Sequence, residues 1–370
     1  MISPAKNGVR PSRGRPPRAR YEGFQAYIKR VGTGPKGSRD LSFEEARAAL
    51  GAILDGRADP AQTGAFLVAS RIKGEAPEEI AGFAAALRER SRIQYPDPGM
   101  PVVACAGGYD GVVDGPQLSL AVAAIAAASG AAIALHGAPP LGPKHGTTVT
   151  QVLEALGLGP ALEPEASALV LERTGIGVFW TPLLCPPWEA LRPLRDAIGV
   201  RTPLNAAEKL LAPVACDAFV AGVTHLPYAL RLLEALRRLD AGRALVVRGL
   251  EGSDVAKPGR PRVYELAHGE ISETDVGGGE SLPAADAATA GAEGSARLTR
   301  ELVSGLAPRD VTGCAVLSAG LRLYAAGVAA SPSAGSATAR AALESGAAAD
   351  SLAAFIEATR EVVGAPAVAA

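Results

Sequence analysis

Aromatic side chains are scarce, at 4% of 370 residues. That rules out large aromatic clusters as the basis of the core. Because 48% of the chain is hydrophobic and 43 residues are glycine, packing falls to small and aliphatic side chains, which suits close helix–sheet contacts. Cysteine is rare too. Cys105, Cys185, Cys216 and Cys314 lie far apart with no C-x-x-C pair, which argues against a disulfide framework or a zinc site and fits a reducing, cytoplasmic setting. Neither sign of charge is in excess, 37 Lys and Arg standing against 38 Asp and Glu, so the body of the chain has no general attraction for nucleic acid or membranes. Long apolar runs are absent as well. The most apolar stretch, Leu118 to Leu135, is broken by Ser129-Gly130 and reads as a buried helix followed by a strand, not a membrane span. The first twenty residues hold no apolar segment, so a secretory leader is not expected. There is no H-E-x-x-H, no G-x-S-x-G, no fixed pair of acids and no internal repeat.

What is present divides into three parts. Residues 1–20 carry Lys6, Arg10, Arg13, Arg15, Arg18 and Arg20, with Pro and Gly between them. This composition predicts a disordered basic tail. It is either a solvated arm or one that neutralises nucleic-acid phosphates. Residues 21–95 read as a helical domain. Ser42 and Glu45 form a capping box ahead of Phe43, Ala46, Leu50 and Ile53 at helical spacing. Pro60 and Pro77 open two further helices, the latter with Glu78 and Glu79 in its first turn. Gln94 to Gly99 reads as a linker.

From 101 to 370 the pattern is α/β. Short strands are predicted at Val102–Cys105, Ala132–Leu135, Gly177–Thr181, Ala218–Gly222 and Ala244–Arg248. Helices are predicted from about Pro116 to Ser129, over Val149–Leu156, around Pro187–Ile198 and over His225–Leu239. This order implies a mostly parallel central sheet with right-handed crossovers. Gly277 to Ser295 reads as a surface loop, and the remainder to about Val363 as helical.

In a parallel sheet, ligands bind beyond the carboxyl ends of the strands. Three loops leave such ends. In the first, Gly107, Gly108, Asp110 and Gly111 allow backbone to approach an anion; a tight turn is the plainer alternative. The second runs from His136-Gly137 to Lys144, His145, Thr147 and Thr148. Its Gly137 and Gly142 have Walker-A spacing, but Pro143 before Lys144 removes an N–H, so a P-loop is rejected. Its polar residues suit phosphate near a helix start, or else form a solvated loop. The third, Gly249 to Asp254, carries Glu251 and Asp254, which suit Mg²⁺ with a phosphorylated substrate, or else an Asp/Gly turn. Arg192 and Arg195 share one helix face and can clamp a carboxylate or phosphate, or simply face solvent.

These loops occur in the order seen in the anthranilate phosphoribosyltransferases, glycosyltransferase family 3, which the chain resembles from about Phe24 to Val363. The resemblance is carried by Arg71-Ile72-Lys73-Gly74-Glu75, Glu78 to Phe83, Val152 to Gly157 and Leu191 to Pro213. It implies a small helical domain, joined in space by helices near 186–212, and a large α/β domain of the nucleoside phosphorylase/phosphoribosyltransferase type. It further implies a homodimer through the helical domain, and phosphoribosyl diphosphate or another phosphorylated small molecule bound with Mg²⁺ in the cleft. On matching positions, Gly107, Gly108, Asp110 and Gly111 would meet diphosphate. His136, Gly137, Lys144, His145 and Thr147 would line the phosphate site, Asp254 would bring the metal, and Arg195 would orient an anionic acceptor, aromatic or not. The loops depart from the family pattern. Tyr109 is extra, K-H-G-N becomes Leu135-His136-Gly137-Ala138, and the metal pair D-E becomes Asp254-Val255. The implied activity is phosphoribosyl transfer to an acceptor other than, or besides, anthranilate. The alternative is a non-catalytic dimer on the same scaffold that binds nucleic acid through its basic tail.

Overall fold

The computed structural model describes residues 21–257, 259, 261–274, 276 and 290–364. The predicted basic tail, residues 1–20, lies outside the described residues, as does most of the predicted Gly277–Ser295 loop.

The chain opens with four helices: α1 (Phe24–Val31), α2 (Phe43–Leu54), α3 (Pro60–Lys73) and α4 (Pro77–Arg88). Their starts follow from local chemistry. The Ser42 hydroxyl accepts from Glu45 N at 3.2 Å, while the Glu45 carboxylate accepts from Ser42 N at 2.8 Å. Asp59 and Gln62 form the same reciprocal pair ahead of Pro60. These caps satisfy N–H groups that a helix start leaves free. Ser42→Ala should therefore lower stability by about 1 kcal/mol in urea denaturation of the full chain; an unchanged midpoint would show that the cap contributes nothing. α2 and α4 cross closely at Gly82, where a Cβ would sit 2.4 Å from Phe43 O.

The second part is built on a seven-stranded sheet: β1 (Val102–Ala106), β2 (Ala132–Gly137), β3 (Ile176–Trp180), β4 (Ala218–Val223), β5 (Arg243–Arg248), β6 (Val263–Ala267) and β7 (Glu270–Thr274). Between strands run α5 (Ser119–Ala128), α6 (Val149–Ala155), α7 (Pro164–Thr174), α8 (Thr181–Leu184), α9 (Pro186–Glu189), α10 (Arg192–Ile198), α11 (Leu204–Lys209) and α12 (Pro227–Arg238). The chain finishes with α13 (Gly291–Val303), α14 (Arg309–Ala325), α15 (Pro332–Glu344) and α16 (Ala347–Gly364). The sheet order is β3-β2-β1-β4-β5-β6-β7. The first five strands are parallel, and β6 and β7 are antiparallel additions.

Alternate residues of β1 serve opposite faces. Val103 and Cys105 join the core formed with α5 and the C-terminal helices, while Val102 and Ala104 face the other side. Burial on both faces explains why these strands are apolar throughout. Four differences from the sequence reading have local causes. The β6–β7 hairpin is absent from the predicted strands, because β7 is polar and mostly exposed. Its signal is His268-Gly269, both with positive φ of 51° and 79°, the requirement of a two-residue hairpin turn. α7 is likewise absent from the predicted helices, although Pro164 at its first turn and Gly175 in the left-handed region after its end mark both limits. α5 begins at Ser119, not near Pro116. Finally, Gly291–Ser295 form the first turn of α13 and not loop.

Helices from the second part return to the bundle, α10 packing against α3, and α11 and α12 against α4. The carboxyl ends of the strands therefore face a cleft walled by both parts. No helix among the described residues is long and apolar enough to cross a membrane.

Candidate active site

The strand order sets the location. From β1 the chain moves to β2 and β3 on one side, then resumes at β4 on the other side of β1. Loops leaving β1 and β4 must diverge, and the crevice between them is the switch point where open α/β sheets take ligands. A hollow of about 420 Å³ opens there, bordered by Gly108, Tyr109, Asp110, Arg201 and Lys209, and by Arg71 from the bundle. Behind the β1 loop lies a narrow recess, about 20 Å³, bordered by Gly107, Gln117, Ser119, His136 and Gly137. Gly108, Tyr109 and Lys209 border both spaces.

The three loops singled out in the sequence meet at this place. Gly111 has φ 71°, and a Cβ there would lie 2.2 Å from Gly146 O, so the first two loops touch backbone to backbone. Val112 N donates to Thr147 O at 2.9 Å, and Thr147 N to Val112 O at 2.8 Å. The third loop is tied on by Glu251. Its carboxylate accepts from Val113 N at 3.0 Å, from Asp114 N at 2.7 Å and from Lys144 Nζ at 2.8 Å.

Of the expected binding residues, Gly107, Gly108, His136 and Gly137 border the recess, and Asp110 borders the larger hollow. The others do different things. Gly111 and Thr147 hold the loop junction. Lys144 is not an open cation, because Glu251 neutralises it. His145 is exposed with φ 51° and borders neither space. Arg195 is buried, donating to Glu208 at 2.8 Å, with its guanidinium 4.9 Å from the Trp188 ring centre and 5.3 Å from that of Tyr109. It borders neither space, although its Nε has no partner. Arg192 is likewise paired, with Glu189.

The metal expectation for Asp254 also needs correcting. Its side chain and that of Arg322 are 0% exposed, and the two form an ion pair through Oδ2. Oδ1 accepts from the Ser119 hydroxyl. Mg²⁺ needs carboxylate oxygens open to the ion and to a shared substrate, so Asp254 does not fit it. Among the described residues there is no cluster of three or more His, Cys, Asp or Glu able to hold a metal. The cause is Arg322, a lone charge in the otherwise apolar interior of α14. A buried charge of that kind signals a buried partner, but the chain alone does not say which residue that partner is.

Lys209, on the last turn of α11, is a site residue that the sequence reading does not include. Its Nζ donates to Gly222 O and Gly252 O, each at 2.8 Å. Burial pushes its ammonium down to about 8, which marks a cation held where water reaches poorly. The available clue is a charge set between Ala206-Ala207 and Leu210-Leu211. Two polar atoms near it have no partner: the Tyr109 hydroxyl and His136 Nδ1. His136 Nε2 meets Glu208 O at 3.1 Å. Burial lowers the His136 pKa and raises that of Tyr109, so both rings are held neutral. Burial also pushes the Cys105 thiol beneath the loop up to about 11, so it is no nucleophile.

A helical bundle is thus set against an α/β body, with a glycine-lined crevice between them. Two family models match: the glycosyl transferase family helical bundle domain over residues 25–91, and the glycosyl transferase family a/b domain over residues 104–349. The anthranilate phosphoribosyltransferase of Haloarcula marismortui is 37% identical over 337 residues, covering 89% of this chain and 98% of its own. That of Rubrobacter xylanophilus is 35% identical, covering 88% and 95%. The crystal structure of the anthranilate phosphoribosyltransferase from Thermus thermophilus is 31% identical, with a TM-score of 0.76 over 90% of this chain and 99% of its own. The Saccharomyces cerevisiae anthranilate phosphoribosyltransferase in complex with PRPP and Mg is 19% identical; its TM-score of 0.77, over 91% and 98%, shows the fold. The chain belongs to the glycosyl transferase family that contains the anthranilate phosphoribosyltransferases.

Proposed function

We propose that this cleft takes phosphoribosyl diphosphate and transfers its phosphoribosyl group to an acceptor other than, or besides, anthranilate. The observation that carries this reading is the hollow at the switch point. It joins a glycine loop to a half-buried lysine ammonium, and both border the same space. Among the described residues no acceptor takes the backbone N–H of Gly107, Gly108 or Tyr109, so these donors suit diphosphate oxygens. Catalysis on such a site is positioning plus stabilisation of the departing negative charge as the sugar carbon becomes oxocarbenium-like. Asp110, ion-paired with Arg201 at 2.6 Å, faces the same hollow as a fixed dipolar pair.

The acceptor assignment follows from Arg195. Glu208 holds one nitrogen of the guanidinium that the resemblance gives to an anthranilate carboxylate, leaving Nε without a partner, and opening that pair would leave Glu208 buried without its partner. An acceptor that does not need this arginine fits better. A homodimer through the bundle belongs to the same proposal. Ile72 on α3, 80% exposed, is the kind of side chain such a contact would cover. The nucleic-acid alternative rests on a tail outside the described residues, and nothing in the cleft favours it.

Isothermal titration with phosphoribosyl diphosphate should give saturable heat on the full chain. No heat at millimolar ligand ends the reading. Where binding is seen, anthranilate should consume the bound donor more slowly than at least one other aromatic or heterocyclic acceptor; anthranilate as the fastest acceptor would remove the second half of the proposal.

A further inference from the structure

The charges of the cleft do not balance one against one. Asp110 is taken by Arg201, Glu251 by Lys144, Asp254 by Arg322 and Glu208 by Arg195. Each of these four carboxylates thus has its own cation from the protein; Glu75, on the bundle side of the hollow, has none and meets only the Tyr228 hydroxyl at 3.4 Å. Two cations on the hollow lack a carboxylate: Arg71, which is exposed and donates to Arg201 O, and Lys209, which is half-buried. The two partners of Lys209 are neutral backbone carbonyls, those of Gly222 and Gly252. An ammonium has three N–H donors, so one remains. Lys209 also borders both the recess and the hollow.

Around this cation stand donors without acceptors. The Tyr109 hydroxyl is buried with no acceptor for its O–H, while Arg201 lies beside its oxygen. The N–H groups of Gly107 and Gly108 have no acceptor among the described residues. A buried donor left unmade is costly, and an anion with several oxygens satisfies such a set. A divalent cation beside a diphosphate neutralises its oxygens and is itself held by one or two carboxylates. Here the carboxylates on the strand-end loops and on α11 are already neutralised, and opening any of these pairs to admit a metal would strand a protein cation.

We propose that Lys209 is the charge that meets a phosphate group in this cleft, and that the phosphate is held there without a divalent cation. The inference rests on the reading of the cleft as a phosphate-ester site and adds to it the binding residue and the metal requirement. It also explains how the chain does without the lysine that Leu135 replaces in the family pattern. The recess bordered by Leu135 and His136 is bordered by Lys209 as well, so a cation reaches the same place from α11.

Inorganic pyrophosphate is the probe, titrated into the full chain in EDTA and again in excess magnesium. The wild type should bind in EDTA, and magnesium should leave the affinity unchanged or weaker. Lys209→Gln should lower the affinity about tenfold or more, as expected when a buried charge partner is removed, and Lys209→Arg should retain part of it. Binding that appears only with magnesium overturns the metal-free site, and a Lys209→Gln protein that binds like the wild type overturns the role of Lys209. If Lys209→Gln does not fold, Lys209→Arg and the two magnesium arms still decide the matter: loss of wild-type binding in EDTA counts against the inference. Absence of binding by both pyrophosphate and phosphoribosyl diphosphate, with or without magnesium, defeats the underlying phosphate-ester reading instead.

Discussion

Arg322→Met should lower the stability of the folded chain by about 3–5 kcal/mol, the range for removing one partner of a buried ion pair. The reason is the surroundings of the group. Arg322 NH1 donates to Ser318 O at 3.0 Å and Nε approaches the Cys105 sulfur at 3.3 Å, while NH2 meets Asp254. Neither side chain of the pair is exposed, so water cannot replace the lost partner. Methionine fits the space but leaves the Asp254 carboxylate charged in the interior, with only the Ser119 hydroxyl to oppose it. The double variant Arg322→Met with Asp254→Leu should recover most of the loss, since the stranded charge goes with its partner. Guanidinium unfolding of the two variants checks this. A single variant that unfolds at the wild-type midpoint would show that the pair does not hold the third loop against the sheet.

Gly222→Ala should be as damaging, for a steric reason. A Cβ on Gly222 would lie 1.5 Å from Ser253 O and 2.2 Å from Ser253 C. A Cβ on Gly249 would lie 1.7 Å from the same oxygen. The Ser253 carbonyl is seated between two glycines that have no side chains, Gly222 on β4 and Gly249 at the start of its own loop. The obstructing atoms belong to backbone, so no rotamer change relieves the overlap, and the expected cost is at least the ~3 kcal/mol at the upper end of overpacking. The displaced loop carries Asp254 and the Gly252 carbonyl that holds Lys209, so pyrophosphate binding should fall as well. Gly242→Ala, where a Cβ meets nothing within 4 Å, is the control, expected to stay within about 0.5 kcal/mol of the wild type. Equal thermal midpoints for the two alanine variants would refute the close seating.

Most elements of the fold can be read from neighbouring residues. The capping pairs Ser42/Glu45 and Asp59/Gln62, the prolines at 60 and 77, and the apolar runs of β1, β2, β4 and β5 each act over a few positions, so local order suffices to place them. Strand β7 escapes such a reading because its pairing with β6 comes from a turn and a register, while its own side chains carry little hydrophobic signal. The three loops are likewise visible, since glycine and polar residues at strand ends are a local pattern.

What the loops do was decided only in three dimensions. Lys144, Arg195 and Asp254 are legible in the chain as charged groups suited to a phosphate, a carboxylate and a metal. Their partners lie 107, 13 and 68 residues away, at Glu251, Glu208 and Arg322. A charge in sequence shows its sign and reach but not the opposite charge that folding brings to it, because Coulomb attraction acts through space and not along the chain. Periodicity and caps along the chain were enough for a helical domain, a mostly parallel sheet and a cleft at its strand ends. The tertiary structure alone decided which cations are neutralised there and left Lys209 facing the hollow.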